Sequence, residues 1–386
     1  MLLITSESSQ QARTLNDVTR ELSLTPAYFA NAGNLTELMS GHARRIVLLR
    51  EADVVEDMLT AIETAAGPAE FGVIVAADRD ALRLSSKAEL LERLTDLRNV
   101  WWIDAEFDFD QLSEAARSCR RRMLRLSRKD LEDAIVNREF LVQYQPKVER
   151  SSGDEWLTRE AEALVRWLHP QHGLVGPLEF LPEVEAFELM GSVGDFVLRE
   201  AAAQLQKWEQ QGLVLNSCIN LASSLLGDTS LADQYEEIVT SFGFECSRFT
   251  FEITEQELAD PEAPHVHALA ALRAKGFRLC LDDFRVAAAS LGTFEQLPFD
   301  EIKIHASALK RAQNDPVKRT ILAAVTGLAH NLGMSVCAEG VEDDATFEFL
   351  KTIECDKMQG FLISEAVMPD IMRRVYGPEH DVGEVA

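Results

Sequence analysis

Eight polar side chains stand in or just after short apolar runs from Glu162 onward. Glu162 lies in EALVRW, Asn220 in CINLA, Glu252 in FTFEITE, and Asp282 with Asp283 in LCLDDF. Lys303 follows in EIKIH, Glu339 in VCAEGVE and Gln359 in KMQGF. A lone acid at a strand end is commonly a helix cap or half of an ion pair. Several acids in one pocket repel one another and shift toward protonation unless cations hold them. The constellation therefore implies bound metal. Its donors are hard oxygens, with Asn220 the one amide, which points to Mg²⁺ or Mn²⁺ rather than zinc.

Residues so far apart meet only if the elements bearing them converge. From Phe140 the chain repeats strand and then helix through FLVQYQPKV, EALVRW, LNSCINLA, RFTFEITE, RLCLDDF, EIKIH, MSVCAEGV and KMQGFLIS. Helical patterns fall between most of them, as at 195–207, 263–275 and 318–332. Eight strands alternating mainly with helices predict an α/β fold of the TIM-like β/α barrel type, whose strand C-termini gather on one face.

The same segments resemble a known family. YQP at 144–146, EALVRW at 162–167, NLAS at 220–223, EITE at 252–255, DDF at 282–284, Lys303-Ile304, AEGVE at 338–342 and Gln359-Gly360 follow the order of the EAL-domain cyclic-di-GMP phosphodiesterases. The resemblance covers about residue 130 to about residue 370. It implies metal-dependent hydrolysis of cyclic-di-GMP to linear pGpG, with two metal ions per site. By that resemblance Glu162, Asn220, Glu252 and Asp282 hold one ion, while Asp282, Asp283 and Glu339 hold the second, with Asp282 bridging. Lys303, Glu339 and Glu162 are then the catalytic residues, Lys303 orienting the attacking water or assisting its deprotonation. Arg166, Gln359 and Glu255 serve the substrate side: Arg166 contacts a phosphate, Gln359 supports the site by hydrogen bonds, and Glu255 holds the loop after the aspartates. The family often pairs through its barrel, so the resemblance also implies a homodimer.

Three departures stand out. The family runs Asp-Phe-Gly-Thr-Gly-Tyr-Ser-Ser-Leu after the first aspartate, whereas this chain reads DFRVAAASL at 283–291. Arg285 and Ala287 replace residues that adopt positive φ at little cost. His305 replaces an acid, and is expected to be a structural hydrogen-bonder; SEAVMP at 364–369 lacks the usual Arg-Pro. A loop altered in this way favours, as the rival reading, a cyclic-di-GMP receptor that does not turn over its ligand. A third reading is an interaction module without nucleotide, which gives the retained acids no role.

Before residue 118 the order of strands and helices resembles a response-regulator receiver: MLLITS, PAYFAN, RRIVLLRE, FGVIVAAD and VWWIDAEF alternate with amphipathic stretches. The acids and lysine that a receiver needs are not in place, since only Glu7, Glu51 or Asp53 stand near the first and third strands and no lysine closely follows Trp102. A pseudo-receiver for dimerisation or partner docking is expected. SCRRRMLRLSRKDLEDAI at 118–135 reads as one connecting helix, and its arginines (Arg120, Arg121, Arg122, Arg125, Arg128) as a solvated face. The expected organisation is a receiver-like domain at 1–117, a linker helix at 118–135, an EAL barrel at 136–374 and a tail at 375–386.

Composition bounds the partners. With 64 acidic residues against 38 basic ones, the net charge of −26 repels nucleic acid, though a small phosphodiester can bind across metal cations. No apolar run reaches the length of a membrane span and MLLITSESS lacks the marks of a signal peptide, so a cytoplasmic protein without a membrane partner is expected. The six cysteines have no paired spacing and read as buried thiols.

Overall fold

Runs such as RIVLLR and FGVIVA are too continuously apolar for one-faced burial and suit strands covered on both sides. They form the centre of the N-terminal sheet. The structure, a computed structural model, describes residues 2–6, 12–22, 24–39, 45–65, 71–78, 87–96, 99–124, 126–151, 155–254, 265–284, 299–313 and 315–377. It divides into two units, Met1–Glu132 with His169–Glu183, and Asp133–Leu168 with Val184–Ala386.

In the first unit β1 (Leu2–Ser6), β2 (Thr25–Phe29), β3 (Arg45–Arg50), β4 (Phe71–Ala76) and β5 (Val100–Ile103) make a parallel sheet in the order β2-β1-β3-β4-β5. This is the flavodoxin-like order. Alternate residues feed opposite cores: Val47, Leu49, Val73 and Val75 pack with Leu59 and Ile62, while Ile46, Leu48 and Ile74 pack with Leu112 and Ala116. Asp53, just beyond β3, accepts hydrogen bonds from Ser6 Oγ at 2.8 Å and Arg50 N at 2.9 Å. Past β5 the residue is Asp104, which accepts from Gln111 Nε2. Glu7 and the side chain of Glu51 lie outside the described residues.

Two expectations are corrected here. The stretch 118–135 is not one helix: Phe109–Leu124 ends, and Arg128–Val136 begins anew. Ser127 and Asp130 cap the second start reciprocally, Asp130 Oδ2 accepting from Ser127 N and Oγ while Asp130 N donates back to Ser127 Oγ. Nor is the arginine run wholly solvated. Arg120 is 7% exposed, donates to Leu22 O at 2.7 Å and lies 3.1 Å from Glu179 Oε1. Arg128 is exposed and pairs with Glu132 one turn on; the side chains of Arg122 and Arg125 lie outside the described residues.

In the second unit β6 (Phe140–Arg150) is followed by β7 (Trp156–His169), β9 (Asn216–Asn220), β10 (Phe249–Thr254) and β11 (Arg278–Phe284), while a short β8 (Gly173–Val175) falls in the segment His169–Glu183 of the first unit. Then come β12 (Glu301–Ile304), β13 (Ser335–Ala338) and β14 (Lys357–Met358). The order β6-β14-β13-β12-β11-β10-β9-β7 closes through β6–β7 pairing into a barrel of eight strands, as expected. Only β6 runs antiparallel to its neighbours in that ring. Helices such as Met190–Gln210 and Pro316–Asn331 wrap it, the first burying Val193, Val197, Ala201, Leu205 and Trp208 at turn spacing. The second begins where Asp315 caps the N–H groups of Val317 and Lys318 ahead of Pro316 at the first turn.

Candidate active site

Barrel closure brings most of the expected residues to one point. Glu162 on β7, Glu252 on β10, Asp282 on β11 and Glu339 just past β13 surround the ammonium of Lys303 on β12. Lys303 Nζ lies 3.2 Å from Glu162 Oε2, 2.8 Å from Glu252 Oε2, 3.6 Å from Asp282 Oδ1 and 2.6 Å from Glu339 Oε1. Asn220 at the end of β9 donates through Nδ2 to Glu162 Oε1 at 2.8 Å. Gln359, just past β14, donates through Nε2 to Glu162 Oε2 at 2.9 Å and to Gln145 Oε1 at 3.0 Å. The side chains of Lys303 and Glu252 are sealed, whereas those of Asp282 and Glu339 keep 15% and 23% exposure, so among the described residues the cluster reaches solvent at these two acids. Arg166, four residues beyond Glu162 on β7, is half-buried and donates to Val165 O at 2.9 Å.

The paired aspartates sit on an irregularity. Strand β11 leaves its register with β12 at Leu281 and resumes at Phe284, and Asp283 takes a left-handed φ of 60°. Asp tolerates that conformation better than most residues. The bulge sends the two carboxylates different ways: Asp282 joins the Lys303 ring, while Asp283 Oδ1 lies 3.3 Å from His305 Nε2. His305 caps the helix Ala306–Ala312, its Nδ1 accepting from Ser307 N, which leaves the ring proton on Nε2 toward Asp283. His305 is thus a structural hydrogen-bonder, as expected. Glu255 and the loop 285–298 lie outside the described residues.

The glycine after Gln359 is required by space. A Cβ on Gly360 would run into the backbone N and O of Val341, so chain segments following two site residues pass one another at closest approach.

Electrostatics show what the ring lacks. Burial raises Glu252 to about 7, helped by Glu162 and opposed by Lys147 and Lys303. Burial likewise raises Asp282 and Glu339 against the pull of Lys303. Burial would raise Glu162 too, yet Lys303, Lys147 and the hydrogen bonds from Gln359 and Asn220 hold it down to about 2. Four acids around one ammonium carry more negative charge than it neutralises. Among the described residues no three His, Cys, Asp or Glu side chains by themselves form a metal-holding group; their common focus is the Lys303 ammonium. Donor chemistry nevertheless fits a hard divalent cation: the ring offers carboxylate oxygens with the Asn220 amide beside them, and Gln359 Oε1, buried beside Glu162, has no hydrogen-bond partner among the described residues. Cavities of about 710 Å³ beside Asp78 and Asp104, and about 590 Å³ beside Arg278 and Lys357, are lined by none of the ring residues.

The EAL domain model matches residues 128–366, more than half of the chain. The chain belongs to the EAL domain family. Its EAL domain is 33% identical over 241 residues to the cyclic di-GMP phosphodiesterase PA2567 of Pseudomonas aeruginosa, across 62% of this chain and 40% of that protein. It is 32% identical over 241 residues to the cyclic di-GMP phosphodiesterase RocR of the same organism, across 62% and 60%. Among solved structures, the PaMucR phosphodiesterase in complex with c-di-GMP superposes with a TM-score of 0.58 at 31% identity, over 63% of this chain and 98% of that one. The FimX EAL domain of Xanthomonas citri, at 18% identity and a TM-score of 0.57, shares the fold over 62% and 93%. The chain spans less than two thirds of the length of these curated relatives. Among the described residues no helix is long and apolar enough to cross a membrane.

Sequence reasoning missed a second layer inside this EAL barrel. Lys147 stands two residues from Gln145, Glu160 from Glu162, Thr250 from Glu252, Glu301 from Lys303 and Lys357 from Gln359, hence on the same side of the strand. Cys218, Cys280 and Cys337 bear the same relation to Asn220, Asp282 and Glu339, and all eight are buried. Lys357 Nζ lies 2.7 Å from both Glu160 Oε2 and Glu301 Oε2. Lys147 Nζ lies 2.6 Å from Glu252 Oε1, 3.0 Å from Cys218 Sγ and 3.8 Å from Glu301 Oε1. Two lysines face two glutamates, so this layer is neutral within itself. A charged residue at period two beneath each of several site residues, as in REAEALVRW and EIKI, is the signal that reveals it.

Proposed function

We propose that this chain hydrolyses cyclic-di-GMP to linear pGpG with Mg²⁺ or Mn²⁺, at a weak rate or one regulated by the N-terminal unit. The observation that carries the reading is the convergence of Glu162, Glu252, Asp282 and Glu339 within 3.6 Å of one point, the ammonium of Lys303. Glu162, Asn220, Glu252 and Asp282 would hold one ion, and Asp282, Asp283 and Glu339 the other. Held by these residues, divalent ions would supply Lewis-acid activation of water and neutralisation of charge on the phosphoryl oxygens. Lys303 lies within reach of the ring carboxylates and orients the attacking water or assists its deprotonation. The water oxygen forms the new P–O bond, the ribose oxygen leaves with the old bonding pair, and one of the two protons given by the water ends on that oxygen while the other stays with the new phosphate. Arg166 contacts a phosphate, Gln359 holds Glu162 in place, and Glu255 steadies the loop after the aspartates.

One observation favours a second reading, a cyclic-di-GMP receptor without turnover: Asp283 is engaged with His305, and the sequence after it lacks both glycines of the family pattern. Incubation of the full chain with cyclic-di-GMP and Mg²⁺ or Mn²⁺, with pGpG followed by chromatography, is run beside calorimetry in Ca²⁺. Turnover supports the enzyme, tight binding without turnover supports the receptor, and the absence of both turnover and binding removes both readings.

The remaining assignments belong to the same proposal. Residues 1–117 form a receiver-like domain that docks a protein partner or helps dimerisation, 118–135 the connection, 136–374 the barrel and 375–386 a tail, in a cytoplasmic homodimer.

A further inference from the structure

Glu252 is held from two sides. Its Oε2 lies 2.8 Å from Lys303 Nζ within the ring, and its Oε1 lies 2.6 Å from Lys147 Nζ in the sealed layer beneath. Lys147 has no room to serve anything else. Its side chain is fully buried, with Cys218 Sγ at 3.0 Å and the more distant Glu301 and Glu160 at 3.8 Å and 4.0 Å. Those two glutamates each give an oxygen to Lys357 at 2.7 Å, so among the carboxylates around it Lys147 makes a hydrogen bond to Glu252 alone.

We infer that Lys147 is a positioning residue for the metal centre: by anchoring Glu252 Oε1 it presents the other oxygen, in one direction, to a divalent cation. The inference rests on the proposed metal-dependent reading and goes beyond it, since it assigns work to a side chain that touches neither substrate nor ion. A glutamate free to turn could offer either oxygen or both. One whose lower oxygen is pinned in a dry layer offers a single oxygen already aimed, so less ordering is left for the moment of binding. The neutral balance of the lower layer is what lets a fully buried ammonium stay in that place.

Mn²⁺ binding to the full chain, without nucleotide and read from the electron paramagnetic resonance signal of free Mn²⁺, tests this directly. K147M/E301Q removes one charge of each sign and keeps the layer neutral, while K147Q keeps an N–H donor for Glu252 Oε1. Circular dichroism establishes that each variant is folded. The double variant is expected to bind Mn²⁺ about 10- to 100-fold more weakly, the range for loss of a residue that orients a ligand, with K147Q closer to the wild type. Equal Mn²⁺ binding by the folded double variant and the wild type overturns the role of Lys147 while leaving the metal site intact. A wild type that binds no Mn²⁺ overturns the metal-dependent reading, and the inference with it.

Discussion

Glu160 and Glu162 stand two residues apart on one side of β7 and face different lysines: Glu160 Oε2 lies 2.7 Å from Lys357 Nζ, and Glu162 Oε2 lies 3.2 Å from Lys303 Nζ. One strand therefore supplies an acid to each of two stacked layers. The lower layer is neutral and closed. The upper has negative charge to spare and opens to solvent, which is the condition for taking up cations.

Acid stability follows from the lower layer. Burial would raise the Glu160 carboxyl, but Lys357 and Lys147 hold it down to about 2, below its ordinary 4.5. A depressed acid contributes stability that is fully present above the unfolded value and is lost as pH falls through the folded one. The contribution is about 3 kcal/mol, present above about pH 4.5 and gone near pH 2. Glu160→Gln should flatten the pH dependence of denaturant midpoints across that window, and an unchanged slope would contradict the pairing.

Glu162 accepts hydrogen bonds from Asn220, Gln359 and Lys303 at once. Glu162→Ala removes the group on which all three converge. Turnover of cyclic-di-GMP should fall by more than about 100-fold, beyond the loss expected for a merely supporting residue. Unchanged pGpG production by this variant removes the enzymatic proposal.

Backbone conformation separates two substitutions at Asp283. At φ 60° an alanine is strained and a glycine is not, so urea unfolding should show Asp283→Gly more stable than Asp283→Ala by about 1 kcal/mol. Equal stability would mean that β11 does not bulge as described. Both variants lose the carboxylate proposed for the second ion.

Gly360→Ala forces a methyl group into the backbone of Val341. The local chain must shift, at a cost of about 1–3 kcal/mol, and Gln359 moves with it away from Glu162. Thermal denaturation and turnover should therefore both fall, whereas a variant that melts like the wild type would show that this close approach is relieved at little cost.

Much of the site was legible before any coordinates. The EAL, DDF and AEGVE segments are local in sequence, and their polar residues interrupt or end apolar runs whose period places them on a common side. His305 was likewise readable as a structural group because a lone histidine is more often a hydrogen-bonder than a catalyst. The arginine run at 120–128 misled because charge along a helix does not say which residue meets Glu179 from elsewhere in the chain. The fresh helix start at Arg128 had a local cause, the Ser127–Asp130 cap, hidden within a continuous helical pattern.

By itself the sequence determined the family, the alternation that builds the barrel and the identity of the acids at its strand ends, because these depend on neighbours a few residues apart. Only the closed barrel decided which lysine meets which carboxylate. Lys147 and Glu252 are 105 positions apart, and Lys357 and Glu160 are 197. Pairing across such separations is set by strand order and register, and those exist only once the sheet has closed on itself.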